Sequence, residues 1–181
     1  MSTISWLVLG LAALLLFWGI GAYNRIMRLR NKIGEAYAQL DQHLAARSKL
    51  VTQLIELLRP ELVTELAAFD ALLSAQADSD AAAAAVRARP AMADSVAQLG
   101  VAVAVHAAAL TRLLALLDQH PELRARVDIE PVLEELRLTE KQRSFARQLF
   151  NEAARVYNDA THQFPTRVLA SVYGFKEARS L

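Results

Sequence analysis

Residues 4–22 (ISWLVLGLAALLLFWGIGA) are 19 consecutive positions without an ionisable side chain, and Arg25, Arg28, Arg30 and Lys32 follow at once. At 1.5 Å per residue this run makes a helix of roughly 28 Å, close to the hydrocarbon thickness of a bilayer. Trp6, Trp18 and Tyr23 stand towards its ends, where amphipathic rings favour the headgroup layer. A cleaved secretory signal carries its positive charge ahead of a shorter apolar core, whereas here the charge follows the core and Met1 to Ser5 carries none. The pattern predicts a retained anchor that crosses once. Because Lys and Arg near a span stay on the cytoplasmic side, the N-terminus is expected outside and residues from 24 onward inside, at the inner face of a cell membrane.

The 158 positions after residue 23 suffice for one compact domain. Twenty basic side chains balance nineteen acidic ones, a net charge of +1, so no bulk field exists to recruit nucleic acid. The cations behind the span instead suit orientation and anionic headgroups. There is no cysteine, which removes disulfides, thiol nucleophiles and thiolate metal ligands. Between residues 24 and 173 the glycines are Gly34 and Gly100, alanine and leucine abound, and no stretch alternates with period two. The expected fold is all-α: a single N-terminal transmembrane helix (residues 1–23) continuing into an antiparallel four-helix bundle (24–164), with a short tail (165–181) at the membrane interface.

The first helix is predicted to run unbroken from the span to Arg59, with Ile26, Leu29, Ile33, Leu40, Leu44, Val51, Leu54 and Leu58 as a stripe of helical spacing and Pro60 as its stop. A second helix is expected over 60–77, restarted by capping oxygens in Asp78-Ser79-Asp80 and continued through the 81–85 alanine run as an exposed connector. A third is expected over 91–119 and a fourth over 128–162, closed by Phe164-Pro165.

Polar residues interrupt the inward stripes of the first and fourth helices. Antiparallel packing at one register pairs Asp41 with Arg147, Arg47 with Glu140, and Asn31 with Asn158; these are expected as structural pairs that set helix register. In the tail, Leu169, Tyr173 and Phe175 between Arg167 and Lys176 suit an interfacial segment beside the exit of the span.

No catalytic set is legible. A dimetal helical bundle needs Glu from two helices and Glu-x-x-His from two more, and the nearest spacing is Asp159 with His162; no metal or cofactor is expected. Phosphate-loop and nucleophile-elbow patterns are absent from the sequence. The expected role is a non-enzymatic, membrane-anchored scaffold that meets the bilayer, protein partners or copies of itself, without a small-molecule substrate. The alternative is an enzyme acting on lipid or peptide at the membrane end, where Asn24, Asn31, Tyr157, Asn158 and His162 gather.

Tyr23-Asn24, Arg30-Asn31, Leu40-Asp41 with Leu44 and Arg47, the stretch ARQLFNEAARVYNDATHQFP from Ala146, and Gly174-Phe175 together resemble the LemA family of bacterial membrane proteins. The double aromatic-Asn spacing at 150–151 and 157–158 ahead of Phe164-Pro165 is the most specific part. Departures are Thr52-Gln53 where the family has Pro-Asn, Phe150 where it has Tyr, and a missing closing Phe-Glu. The resemblance implies one N-terminal span with the short N-terminus outside, a cytoplasmic helical bundle, and no enzymatic activity.

Overall fold

The computed structural model describes residues 3–164 and 166–181 and is all-helical, with no strand among them. Pro165, expected to close the fourth helix, lies outside the described residues. Helix α1 (Thr3–Leu58) is one continuous rod. A 3-10 turn (Val63–Glu65) leads into α2 (Leu66–Ala88), followed by α3 (Ala93–Asp118), the single turn α4 (Pro121–Arg124), α5 (Glu130–His162) and α6 (Thr166–Tyr173).

The second helix differs from expectation. It starts at Leu66 rather than Pro60, because the 59–62 turn stays bonded to the end of α1, with Leu62 N–H donating to Leu58 O at 2.9 Å. It also runs straight through Asp78-Ser79-Asp80. Those side chains do not cap: Ser79 is buried, and Asp80 accepts a hydrogen bond of 3.0 Å from the Ser48 hydroxyl on α1. The alanine run is no loose connector either. Ala83 is buried, and its small side chain lets α2 approach so closely that the Tyr37 hydroxyl reaches the Ala83 carbonyl at 2.8 Å. Burial raises the Tyr37 phenol pKa further, keeping it a donor.

Helices α1 and α5 pack along their length, as do α2 and α3, and α2 also lies against α1. The antiparallel register of α1 and α5 sets Tyr37 edge-on to Phe150, ring centres 5.9 Å apart, and Arg47 against Glu140. At the end remote from the apolar segment, Arg126 joins Asp128 at 2.6 Å and Glu61 at 2.8 Å, tying the turn after α1 to the turn before α5.

The core falls into two apolar clusters. One, towards the apolar segment, holds Ile26, Ile33, Tyr37, Leu40, Leu99, Phe150, Ala154 and Tyr157. The other holds Leu54, Leu58, Phe69, Leu72, Leu113, Leu117, Ile129 and Leu136. Between them lies a polar layer to which every long helix contributes: Arg47 from α1, Gln76 and Ser79 from α2, His106 from α3, and Glu140 and Arg143 from α5. Arg47 and His106 are each only 2% exposed. Arg47 Nε approaches Glu140 Oε1 to 2.6 Å without hydrogen-bond alignment, while Arg143 donates to Glu140 Oε2 at 2.8 Å.

Burial, reinforced by the Arg47 charge, lowers His106 to a pKa of about 4, and neither ring nitrogen finds a partner among the described residues. The depressed folded value means that the unfolded chain takes up the proton first as pH falls. Stability held by the neutral imidazole is complete above its ordinary pKa near 6.5 and is lost progressively down to about 4. A shift of that size corresponds to roughly 3 kcal/mol. Urea titrations of the full chain in mild detergent between pH 4 and pH 7 should show this loss in the native protein, and His106→Leu should remove that part of the slope.

Candidate functional site

Antiparallel return of α5 brings its C-terminal end back beside Tyr23, and α6 then lies against α1 and α5. The Tyr23 ring meets Tyr173 at 5.5 Å and Phe175 at 6.2 Å, and Trp18 meets Phe164 at 6.1 Å. These aromatics form a collar where the exposed apolar part of α1 ends. Trp6, Arg25, Arg28, Arg30 and Lys32 are exposed along α1, and Leu169 is half-buried under α6. On the outer side of α6, Val168 and Val172 are exposed and extend the apolar surface next to Tyr173.

Helix α6 ends on Gly174, whose φ of +67° suits a residue without Cβ, and Phe175 N–H closes the turn on Ala170 O at 3.0 Å. The chain then runs back along α5. Asn158 holds Ala178 from both sides, its amide donating to Ala178 O at 2.8 Å and its oxygen accepting from Ala178 N–H at 2.8 Å. Asn151 holds Leu181 the same way, at 2.9 and 2.7 Å. Seven residues of helix rise about 10.5 Å, and three residues of extended chain span about 10 Å, so two asparagines a heptad apart meet every third residue of the strap. Tyr157 donates to Lys176 O at 3.2 Å, and His162 lies between Asn158 O at 2.8 Å and Glu177 at 2.9 Å. The side chain of Leu181 reaches α3, where a Cβ added at Gly100 would sit 3.8 Å from it.

Above this strap opens a groove of about 920 Å³ bounded by α1, the α2–α3 connection and residues 173–177. Arg30, Arg89 and Lys176 converge on it from three separate segments, with Asn31, Glu35, Asp94 and Glu177 in the wall. Burial pushes the Tyr157 phenol pKa up, and the nearby Arg30 charge opposes that shift.

The three expected polar pairs fare differently. Arg47 and Glu140 meet. Asp41 does not reach Arg147: it takes a two-pronged bond from Arg87 of α2, at 2.7 and 2.9 Å, because α2 rather than α5 lies on that side of α1. Arg147 is exposed beside Val103 and Leu181. Asn31 and Asn158 do not pair, since Asn158 is fully used on the strap while Asn31 faces the groove. Of the groups gathered for a catalytic alternative, Tyr157, Asn158 and His162 are thus occupied in holding residues 176–178. Among the described residues no cluster of three His, Asp or Glu could hold a metal, and Asp159 is bound by Arg155 at 2.9 Å.

The family profile described as the LemA family matches residues 36–181, which include α2, α3, α5, α6 and the strap. The chain belongs to the LemA family. No curated protein matches it. In this LemA-family chain, the aromatic-Asn pairs at 150–151 and 157–158 gain a physical meaning: each aromatic enters the core and the following Asn clamps the strap.

Loss of two neutral hydrogen bonds at each asparagine weakens the strap by roughly 1–3 kcal/mol per site. The double variant Asn151→Ala, Asn158→Ala should therefore be cut by trypsin after Lys176 and Arg179 at least about tenfold faster than the native chain, with the helical core intact. Equal cleavage rates would show that the strap is held by its side chains instead.

Proposed function

We propose that the chain is a non-enzymatic, membrane-anchored scaffold in which α1 spans the inner membrane once, the four long helices form a cytoplasmic four-helix bundle, and the outer face of α5 docks a second copy. The exposed apolar row on α5 carries this reading. Leu138 is 55% exposed and Phe145 62%, and Leu149 and Val156 continue the row at steps of seven, four and seven residues. That is the spacing of a helix-pairing seam, on a flank of α5 about a third of a turn round from the face it buries in the core.

Anchoring decides the geometry of pairing. Two copies inserted with the same orientation run their α5 helices parallel, so a two-fold axis along the membrane normal sets each of these side chains against its counterpart. Confinement to one surface raises the effective concentration, so a seam smaller than the roughly 800 Å² per partner of a soluble dimer suffices. Support for the anchor comes from residues 6–21 of α1, which leave their large apolar side chains outside the bundle while the same helix continues into the core. α3 is also long and apolar enough to cross a membrane, but it lays Val96, Leu99, Leu110, Leu113 and Leu117 into the bundle core.

The chain has no native thiol, so single cysteines report cleanly. In native membranes, Phe145→Cys and Leu149→Cys should cross-link to dimers, while Thr111→Cys on the outer side of α3 should not. A reporter that works only outside the membrane, fused after Leu181, should stay silent. Monomers at both α5 positions, with no other protein captured there, would contradict the scaffold; an active outside reporter would contradict the orientation.

A further inference from the structure

We propose that the groove beside the collar binds the headgroup of an anionic membrane lipid, holding its phosphate among Arg30, Arg89 and Lys176. This rests on the reading of α1 as a membrane anchor. The groove wall on α1 starts at Met27, four residues beyond Tyr23 and so roughly 6 Å past it. The headgroup layer of a bilayer is about 5–7 Å thick on each side, which puts the mouth of the groove inside it.

Along α1 the charges are sorted by depth. Arg30 lies five residues nearer the collar than Glu35, about 7 Å along the helix. Arg89 belongs to the connection at that end, and Asp94 sits beside it in the first turn of α3. Lys176 follows Phe175 of the collar directly, and the neighbouring Glu177 is drawn to His162 at 2.9 Å. None of the three cations pairs with a carboxylate among the described residues. Three uncompensated cations at the mouth fit a phosphodiester. Asn31, Glu35 and Asp94 in the wall can accept hydrogen bonds from hydroxyls, which fits a glycerol-type cap on that phosphate better than a quaternary ammonium. Met27, Met92, Tyr173 and Phe175 supply the apolar wall next to the acyl chains.

The test uses the full chain in mild detergent, titrated with phosphatidylglycerol, phosphatidylcholine or soluble glycerol phosphate, and bound molecules counted by native mass spectrometry. One phosphatidylglycerol should bind at least about tenfold more tightly than phosphatidylcholine, and at least about a hundredfold more tightly than glycerol phosphate, which lacks the apolar contacts. Each cation is worth about fivefold, so the triple variant Arg30→Gln, Arg89→Gln, Lys176→Gln should lose on the order of a hundredfold. The charge-preserving triple Arg30→Lys, Arg89→Lys, Lys176→Arg should stay within about threefold. Arg25→Gln with Arg28→Gln, outside the groove, should leave the single bound lipid in place.

Equal binding of the two lipids, an unaffected triple Gln variant, or an equal loss from the Arg25, Arg28 pair would each overturn the site. Glycerol phosphate binding as tightly as phosphatidylglycerol would assign the groove to a free phosphate and overturn the lipid. Resistance of the chain to carbonate extraction reads the anchor separately, so a chain that inserts but shows no lipid preference refutes the lipid site alone.

Discussion

Arg47 lies inside the bundle with its charge opposed by one carboxylate, Glu140, which a second cation, Arg143, also grips. Taking such charges out of water costs several kcal/mol per ion, and only close approach of the partners offsets it. An apolar core tolerates sliding of one helix past another by a turn, since leucine meets leucine again. A buried cation tolerates no such slip, because a one-turn shift of about 5.4 Å strands it against Leu136 or Arg143. The polar layer thereby selects one register of α1 against α5, with His106, Gln76 and Ser79 completing it from the other two helices.

The rest follows from that register. It sets Tyr37 against Phe150 and brings the end of α5 level with Tyr23, so that α6 lands on the aromatic collar. It also turns Asn151 and Asn158 towards the side where the strap returns between α5 and α3. The strap in turn carries Lys176 into the groove, whose opposite walls belong to α1 and the α2–α3 connection. An ion contact in the middle of the bundle therefore shapes a surface several turns away, through the helices that join them.

Much of this was legible in the sequence because helical periodicity is local. The apolar segment, the unbroken α1, the all-α class and the Arg47–Glu140 contact follow from spacing alone. What failed was three-body geometry. Asp41 has two candidate neighbours, and the pairwise register of the first and fourth helices says nothing about Arg87, which arrives on α2 from the other side. Asp78-Ser79-Asp80 looks like a cap by propensity, yet Asp80 is taken by Ser48 on α1, Ser79 is buried, and the helix continues. The strap was invisible for another reason. Its bonds run from side chains to backbone, so the residues held, Ala178 and Leu181, carry no signature of being held.

A double-mutant cycle on Arg47 and Glu140 tests most directly whether the polar layer fixes the register. Unfolding free energies of the native chain, Arg47→Met, Glu140→Leu and the double variant would be measured in one detergent at neutral pH. Glu140→Leu strands the buried Arg47 charge and should cost about 3–5 kcal/mol, whereas Arg47→Met leaves Glu140 partly exposed and still paired with Arg143 and should cost less. The double variant should be more stable than Glu140→Leu alone, with a coupling of at least about 2 kcal/mol. Additive losses, with the double variant the least stable of the four, would contradict the claim that this contact organises the bundle.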